Sequence, residues 1–288
     1  MKIGFNEGCD RYCEGHTVLN DLEFCEKYGF DCIDIQSECL DRDLAAGKCT
    51  LEQLGEWFRT HHLKMLSYNA LCGFNMKQTQ AEKDAVLAEL DEIIRRCGIL
   101  GCDTIVVVPT EHISVPATRG EIRADAIAVL KEMLKHTEPH GIRLSLEFCG
   151  CPGMTINRFE DAYAIVEAVD SPLVGLTLDQ YHFHAMASDW AALEQADGKK
   201  IFIWHLNDME DVPCGAAYNT DEKRLWPAIP AAVSTMPAMR GRSGRSASRA
   251  TPAPSRFSAP TTTSWLKRIT FTSPPTVPAL TSKSTGTE

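Results

Sequence analysis

The sequence predicts an α/β fold, a TIM-like (β/α)8 barrel whose eighth βα unit is missing or disordered. Three observations carry this. Short apolar runs alternate with helical patterns up to about residue 210. Seven strand-then-helix units imply a parallel sheet, because a crossover helix returns the chain to run the same way. That many units in 288 residues suit a closed barrel better than an open doubly wound sheet. No Gly-x-Gly-x-x-Gly opens the first unit, which weakens a dinucleotide-binding reading.

The strand candidates are, in order, "KIGFN" (2–6), "CIDIQ" (32–36), "KMLSYNA" (64–70), "TIVVVP" (104–109), "RLSLEF" (143–148), "VGLTLD" (174–179) and "IFIWHLN" (201–207). Each is a short apolar run of strand length. Between them lie helical patterns. "VLNDLEFCEKYG" (18–29) ends in a glycine stop, and "LEQLGEWFRTHH" (51–62) has apolar residues at helical spacing. "AEKDAVLAELDEIIRRCGILG" (81–101) is long and amphipathic, and the patterns at 124–141 and 159–170 follow it.

The formal net charge is −10. It argues against nucleic acid or an anionic membrane surface as a partner, since phosphate binding needs an excess of Lys and Arg. The opening "MKIGF" has no charged-then-apolar signal pattern, and no apolar run reaches membrane-spanning length. Twelve cysteines without a secretory signal read as reduced thiols of a cytoplasmic protein, and as small core residues, Cys72 among them. Cys149 and Cys151 lack the second spaced pair that a zinc knuckle needs.

Composition divides the chain in two. Residues 1–227 hold 38 of the 39 acidic residues and all the cysteines. Residues 228–288 hold one acid, eight Lys or Arg, eight Pro and 21 Ser or Thr. Such a segment reads as a basic, low-complexity tail. It begins where the eighth strand and helix are due.

Functional groups of a parallel barrel sit at the carboxyl ends of its strands. Those ends offer Glu7 or Asn6, then Asn69, Glu147, Asp179 and His205. Glu147, Asp179 and His205 follow apolar strands and are ligand types for a divalent ion such as Zn²⁺, Mn²⁺ or Co²⁺. Any one acid at a strand end is as readily a helix cap. Three ligand types on three successive strands are harder to assign to capping. His182, three residues past Asp179, is placed to bond a ligand or a substrate oxygen. His184 reads as structural, Asp208 as support for a ligand and Asp211 as a solvated loop acid.

At these residues the chain resembles the sugar isomerase and epimerase barrels related to xylose isomerase, and among them the inosose isomerases of inositol catabolism. The stretches that carry the resemblance are "FNE", "DLEFCEKYGFDCIDI", "TLDQYHFHAM", "QADGKKIFIWHLNDMED" and "TDEKRLWP", spanning residues 1–227. The resemblance implies one divalent metal held by Glu147, Asp179, His205 and a last Glu on strand eight. It implies a small cyclic polyol ketone as substrate, with Asn69, His182 and Arg224 contacting it. Glu147 and His182 would be catalytic. Ketose epimerisation, hydroxypyruvate isomerisation and inosose dehydration share the metal set. A DNA-repair phosphodiesterase on the related endonuclease barrel is opposed by the charge of residues 1–227, 21 basic against 38 acidic. Oligomerisation is open.

The last Glu has no counterpart here. The family's strand-eight motif resembles Val-Glu-Leu-Phe-Arg-Pro, while residues 254–271 read "PSRFSAPTTTSWLKRITF". Codons permitted for that stretch, regrouped one base earlier, read "VEVFRPDYYELAEEDNI". Codon degeneracy makes any single residue weak support, but an entire strand motif at the due place is hard to obtain by chance. The expectation is a one-base frameshift near residue 228, leaving an inactive or nearly inactive metal-binding remnant.

Overall fold

The structure is a computed structural model that describes residues 2–207 and Gly215. The tail at 228–288, Arg224, Asp208 and Asp211 lie outside the described residues. Seven parallel strands form one sheet in chain order. They are β1 (Gly4–Asn6), β2 (Cys32–Gln36), β3 (Lys64–Cys72), β4 (Thr104–Val108), β5 (Arg143–Glu147), β6 (Val174–Asp179) and β7 (Ile201–His205). Every neighbouring pair is parallel, from Gly4↔Cys32 at one edge to Asp179↔His205 at the other. The fold is thus the expected α/β TIM barrel, nearly closed but with an unsealed seam. Among the described residues no strand lies between β1 and β7.

The helices are α1 (Val18–Tyr28), α2 (Ser37–Ala45), α3 (Leu51–Thr60), α4 (Gln80–Leu100), α5 (Arg119–Thr137), α6 (Phe159–Val169), α7 (Gln180–Ala185) and α8 (Trp190–Gln195). Local chemistry sets their ends. Thr50, Thr79 and Thr118 each cap a helix and share a reciprocal capping box with Gln53, Glu82 and Glu121. Gly29 and Gly101 end α1 and α4 in the left-handed conformation, at φ 75° and 73°, where a Cβ would be strained.

Three expectations need correction. Four predicted strands are trimmed by one or two residues at one end: 2–6 starts at Gly4, and 104–109, 143–148 and 201–207 end at Val108, Glu147 and His205. The strand at 64–70 instead runs on to Cys72. Short helices α2, α7 and α8 were not anticipated; four of the nine residues of α2 are charged. His184 lies on α7. Eight of the eleven described thiols are buried, but Cys9, Cys13 and Cys72 are exposed, so Cys72 is no core residue.

The main core lies between the sheet and the helices, and a small second cluster of Ala70, Val106 and Ile203 lies apart from it. Ile33, Ile35, Leu71, Ile105, Val107, Leu144, Leu146 and Leu176 are fully buried, packed with Leu22, Leu54, Leu90, Leu130 and Val166 from the helices. Burying such side chains contributes about 1.5–3 kcal/mol each. Tight approach is needed in places: a Cβ on Gly55 of α3 would lie 2.4 Å from the Ile99 carbonyl of α4. This packing fixes the strand ends, and with them the polar groups that they carry.

Candidate metal centre

Glu147, Asp179 and His205 end three successive strands, β5, β6 and β7. Parallel strands in register bring those ends to one place, and Asp179 is the register partner of His205. All three are buried, at 6%, 6% and 8% exposure. One ligand atom from each lies within 4.8 Å of the others. His205 Nδ1 is 3.1 Å from Glu147 Oε1 and 3.9 Å from Asp179 Oδ2. Two carboxylate oxygens and an imidazole nitrogen form a borderline donor set, the kind that suits Zn²⁺ or a similar ion.

Asp179 and His205 are held from behind. Asp179 caps α7, accepting from the His182 backbone N–H at 2.9 Å. The helix-cap reading therefore holds for this residue, which also lies in the Glu147, Asp179 and His205 cluster. Its other oxygen accepts from Asn207 Nδ2 at 2.8 Å, while Asn207 Oδ1 accepts from the Tyr181 N–H at 2.7 Å. His205 Nε2 lies 3.0 Å from Asp34 Oδ2 on β2, and Ser67 on β3 donates its hydroxyl to the other Asp34 oxygen. Burial disfavours a charged His205, yet the carboxylates of Glu147 and Asp34 on its two sides outweigh that and raise its pKa well above the usual value.

Of the other expected residues, His182 sits in the first turn after Asp179, and its Nδ1 is buried with no hydrogen-bond partner among the described residues. Such an orphan costs stability unless a partner arrives, which suits a group awaiting a ligand. Gly150 packs so closely on this turn that a Cβ there would lie 2.5 Å from the His182 carbonyl oxygen. Asn69 is buried on β3. Asn6 reaches the cluster, with Nδ2 3.3 Å from His205 Nε2. Glu7 does not; it turns away to His16, whose Nε2 is 3.4 Å from Glu7 Oε1 and 2.9 Å from Asp21. Burial pushes the Glu7 carboxyl up to about 8. Arg42 stands 2.6 Å from His16 Nδ1, so that nitrogen must accept and Nε2 carries the proton toward these acids.

Asp34, Ser67 and Asn207 are the site residues that sequence reasoning missed. The available sign was an acid inside the apolar strand "CIDIQ", a position where a buried charge requires a partner.

The chain belongs to the xylose isomerase-like TIM barrel family, whose model matches residues 22–226. The match stops where the composition changes. More particularly, the chain is homologous to inosose isomerases. It is 42% identical to the one from Bacillus velezensis over 230 residues, covering 79% of each chain, and 42% identical to the one from Bacillus subtilis over 241 residues, again 79% of each. A crystal structure of the IOLI protein with a binding zinc atom superposes with a TM-score of 0.71 at 41% identity, covering 78% of each chain.

Proposed function

We propose that residues 1–227 are the body of a metal-dependent inosose isomerase, acting in the cytosol on a small cyclic polyol ketone. The observation that carries this is the buried convergence of Glu147, Asp179 and His205 in a chain homologous to inosose isomerases. Those three residues would hold one divalent ion, Zn²⁺, Mn²⁺ or Co²⁺. Bound there, the ion would polarise the carbonyl and the adjacent hydroxyl oxygen of the substrate, lowering the cost of the charge that develops on them.

Within that setting Glu147 takes the proton from the carbon beside the ketone. The C–H electron pair enters a carbon–carbon double bond, and the carbonyl becomes an enediolate. A proton then returns to the former carbonyl carbon, the neighbouring hydroxyl gives up its proton and becomes the new ketone, and the former carbonyl oxygen takes up a proton and becomes the hydroxyl. No oxidant is consumed. His182 orients or protonates a substrate oxygen through its unpartnered ring nitrogen. Asn69 and Arg224 bind substrate hydroxyls. The second acid/base is the strand-eight Glu, which a one-base frameshift near residue 228 removes from the chain as written.

A second reading, a metal-binding remnant with little turnover, is favoured by the family match ending at residue 226. The test separates the two. The coding DNA across codons 220–260 is read from independent source material. The chain as written and a one-base-restored chain are then assayed for inosose interconversion by NMR in heavy water. Turnover by the restored chain supports the isomerase. Turnover by neither chain, with zinc bound by both, leaves the remnant. A restored chain that isomerises only some other sugar overturns the substrate.

A further inference from the structure

We infer that Asp34, backed by Ser67, is a positioning residue that locks His205 in the tautomer with its proton on Nε2, leaving Nδ1 as the metal-donating atom. The inference rests on the reading of His205 as a ligand.

A neutral imidazole carries one N–H and one lone pair, and its surroundings decide which nitrogen has which. His205 Nδ1 faces Glu147 Oε1 at 3.1 Å and Asp179 Oδ2 at 3.9 Å, so it points into the candidate centre. Nε2 faces away, to Asp34 Oδ2 at 3.0 Å. With the proton on Nε2, a charge-assisted hydrogen bond forms to Asp34 and the Nδ1 lone pair is free. With the proton on Nδ1, the Nε2 lone pair would face a carboxylate oxygen at 3.0 Å in a buried site, and Nδ1 would be closed to a cation.

Two contacts favour the second arrangement: Glu147 Oε1 at 3.1 Å would accept a proton from Nδ1 as long as no cation takes that proton's place, and Asn6 adds a second. Asn6 Nδ2 lies 3.3 Å from Nε2 and would donate to it. The amide cannot be turned over, because Asn6 Oδ1 already accepts from the Gly8 N–H at 2.8 Å and from Gln36 Nε2 at 3.1 Å. With a cation in that place, magnitudes decide between Asn6 and Asp34. A bond to a charged acceptor is roughly twice as strong as a neutral one, and the Asp34 contact is also the shorter. Ser67, fully buried and register partner of Asp34 on the next strand, donates to the far oxygen and fixes the carboxylate in place. Removing such an outer partner of a metal-ligating histidine lowers metal affinity by about 10–100-fold.

The test uses the full chain. Zinc is titrated against a chromophoric chelator for wild type, Asp34→Ala, Asp34→Asn, Ser67→Ala and His205→Gln. The zinc-bound wild type is also examined by ¹⁵N NMR with labelled histidine, using His205→Gln to assign the ring. The expected result is a proton on Nε2 with zinc on Nδ1, roughly 10–100-fold weaker binding in both Asp34 variants and a smaller loss in Ser67→Ala. Zinc on Nε2, or Asp34 variants that bind within twofold of wild type, overturns the inference and leaves the ligand reading standing. Unchanged binding by His205→Gln, or no binding by wild type, overturns the ligand reading and the inference with it. The NMR measurement needs no variant at Asp34, so a misfolded Asp34→Ala does not spare the inference.

Discussion

Glu147→Gln keeps the shape of the side chain and removes its capacity to take a proton. In the frame-restored protein it should abolish exchange of the substrate α-proton with solvent and cut turnover by roughly 10²–10⁴-fold. Retained exchange would remove Glu147 from the acid/base role. Glu7 gives a different kind of prediction. Its carboxyl holds a proton up to about pH 8 in the folded chain, while its ordinary value is 4.5. Between those limits the folded state binds more protons than the unfolded state, so stability is highest at the acid end and falls as pH rises. The slope is up to about 1.4 kcal/mol per pH unit. Glu7→Gln should flatten the dependence of Tm on pH from about 5 to about 8; an unaltered slope would show that other groups set it. At this scale the sequence reveals the three strand-end ligand types, because each terminates an apolar run. It hides Asp34 and Asn207, because their value lies in partners far along the chain, His205 for one and Asp179 for the other.

Elements transmit their packing to the site. The short helix α7 starts on Asp179 and carries His182, and Gly150 presses against its backbone. Gly150→Ala brings a Cβ within 2.5 Å of the His182 carbonyl oxygen and 2.8 Å of its Cα. Backbone atoms have no rotamer to escape into, so α7 must shift. A displacement of about 1 Å can cost about 10²-fold in rate, whereas overpacking costs about 1–3 kcal/mol of stability. The expected outcome is a modest fall in Tm with a much larger fall in kcat; equal kcat would show that His182 tolerates the shift. The parallel strands were legible because a buried strand reads as a continuous apolar run. Helix α2 was not, since four charges break up its nine residues "SECLDRDLA", and α7 was not, because six residues are too few for a periodicity to appear.

For the whole molecule both the order of the strands and the open seam were legible, the first from the alternation of apolar runs and helices and the second from the change of composition where the eighth unit is due. The edges of β1 and β7 carry backbone groups that no described strand pairs, and unpaired edges invite association with other chains. The chain as written should therefore be poorly soluble. Restoring one base should raise Tm, sharpen the sedimentation profile and tighten zinc binding; identical behaviour of the two chains would count against a frame change. Across that same seam, side chains already meet: His205 of β7 touches Asn6 of β1 and Asp34 of β2. The candidate metal centre is thus also a rivet between the two free edges. A mutation that loosens the chemistry at His205 would loosen the rim of the barrel with it.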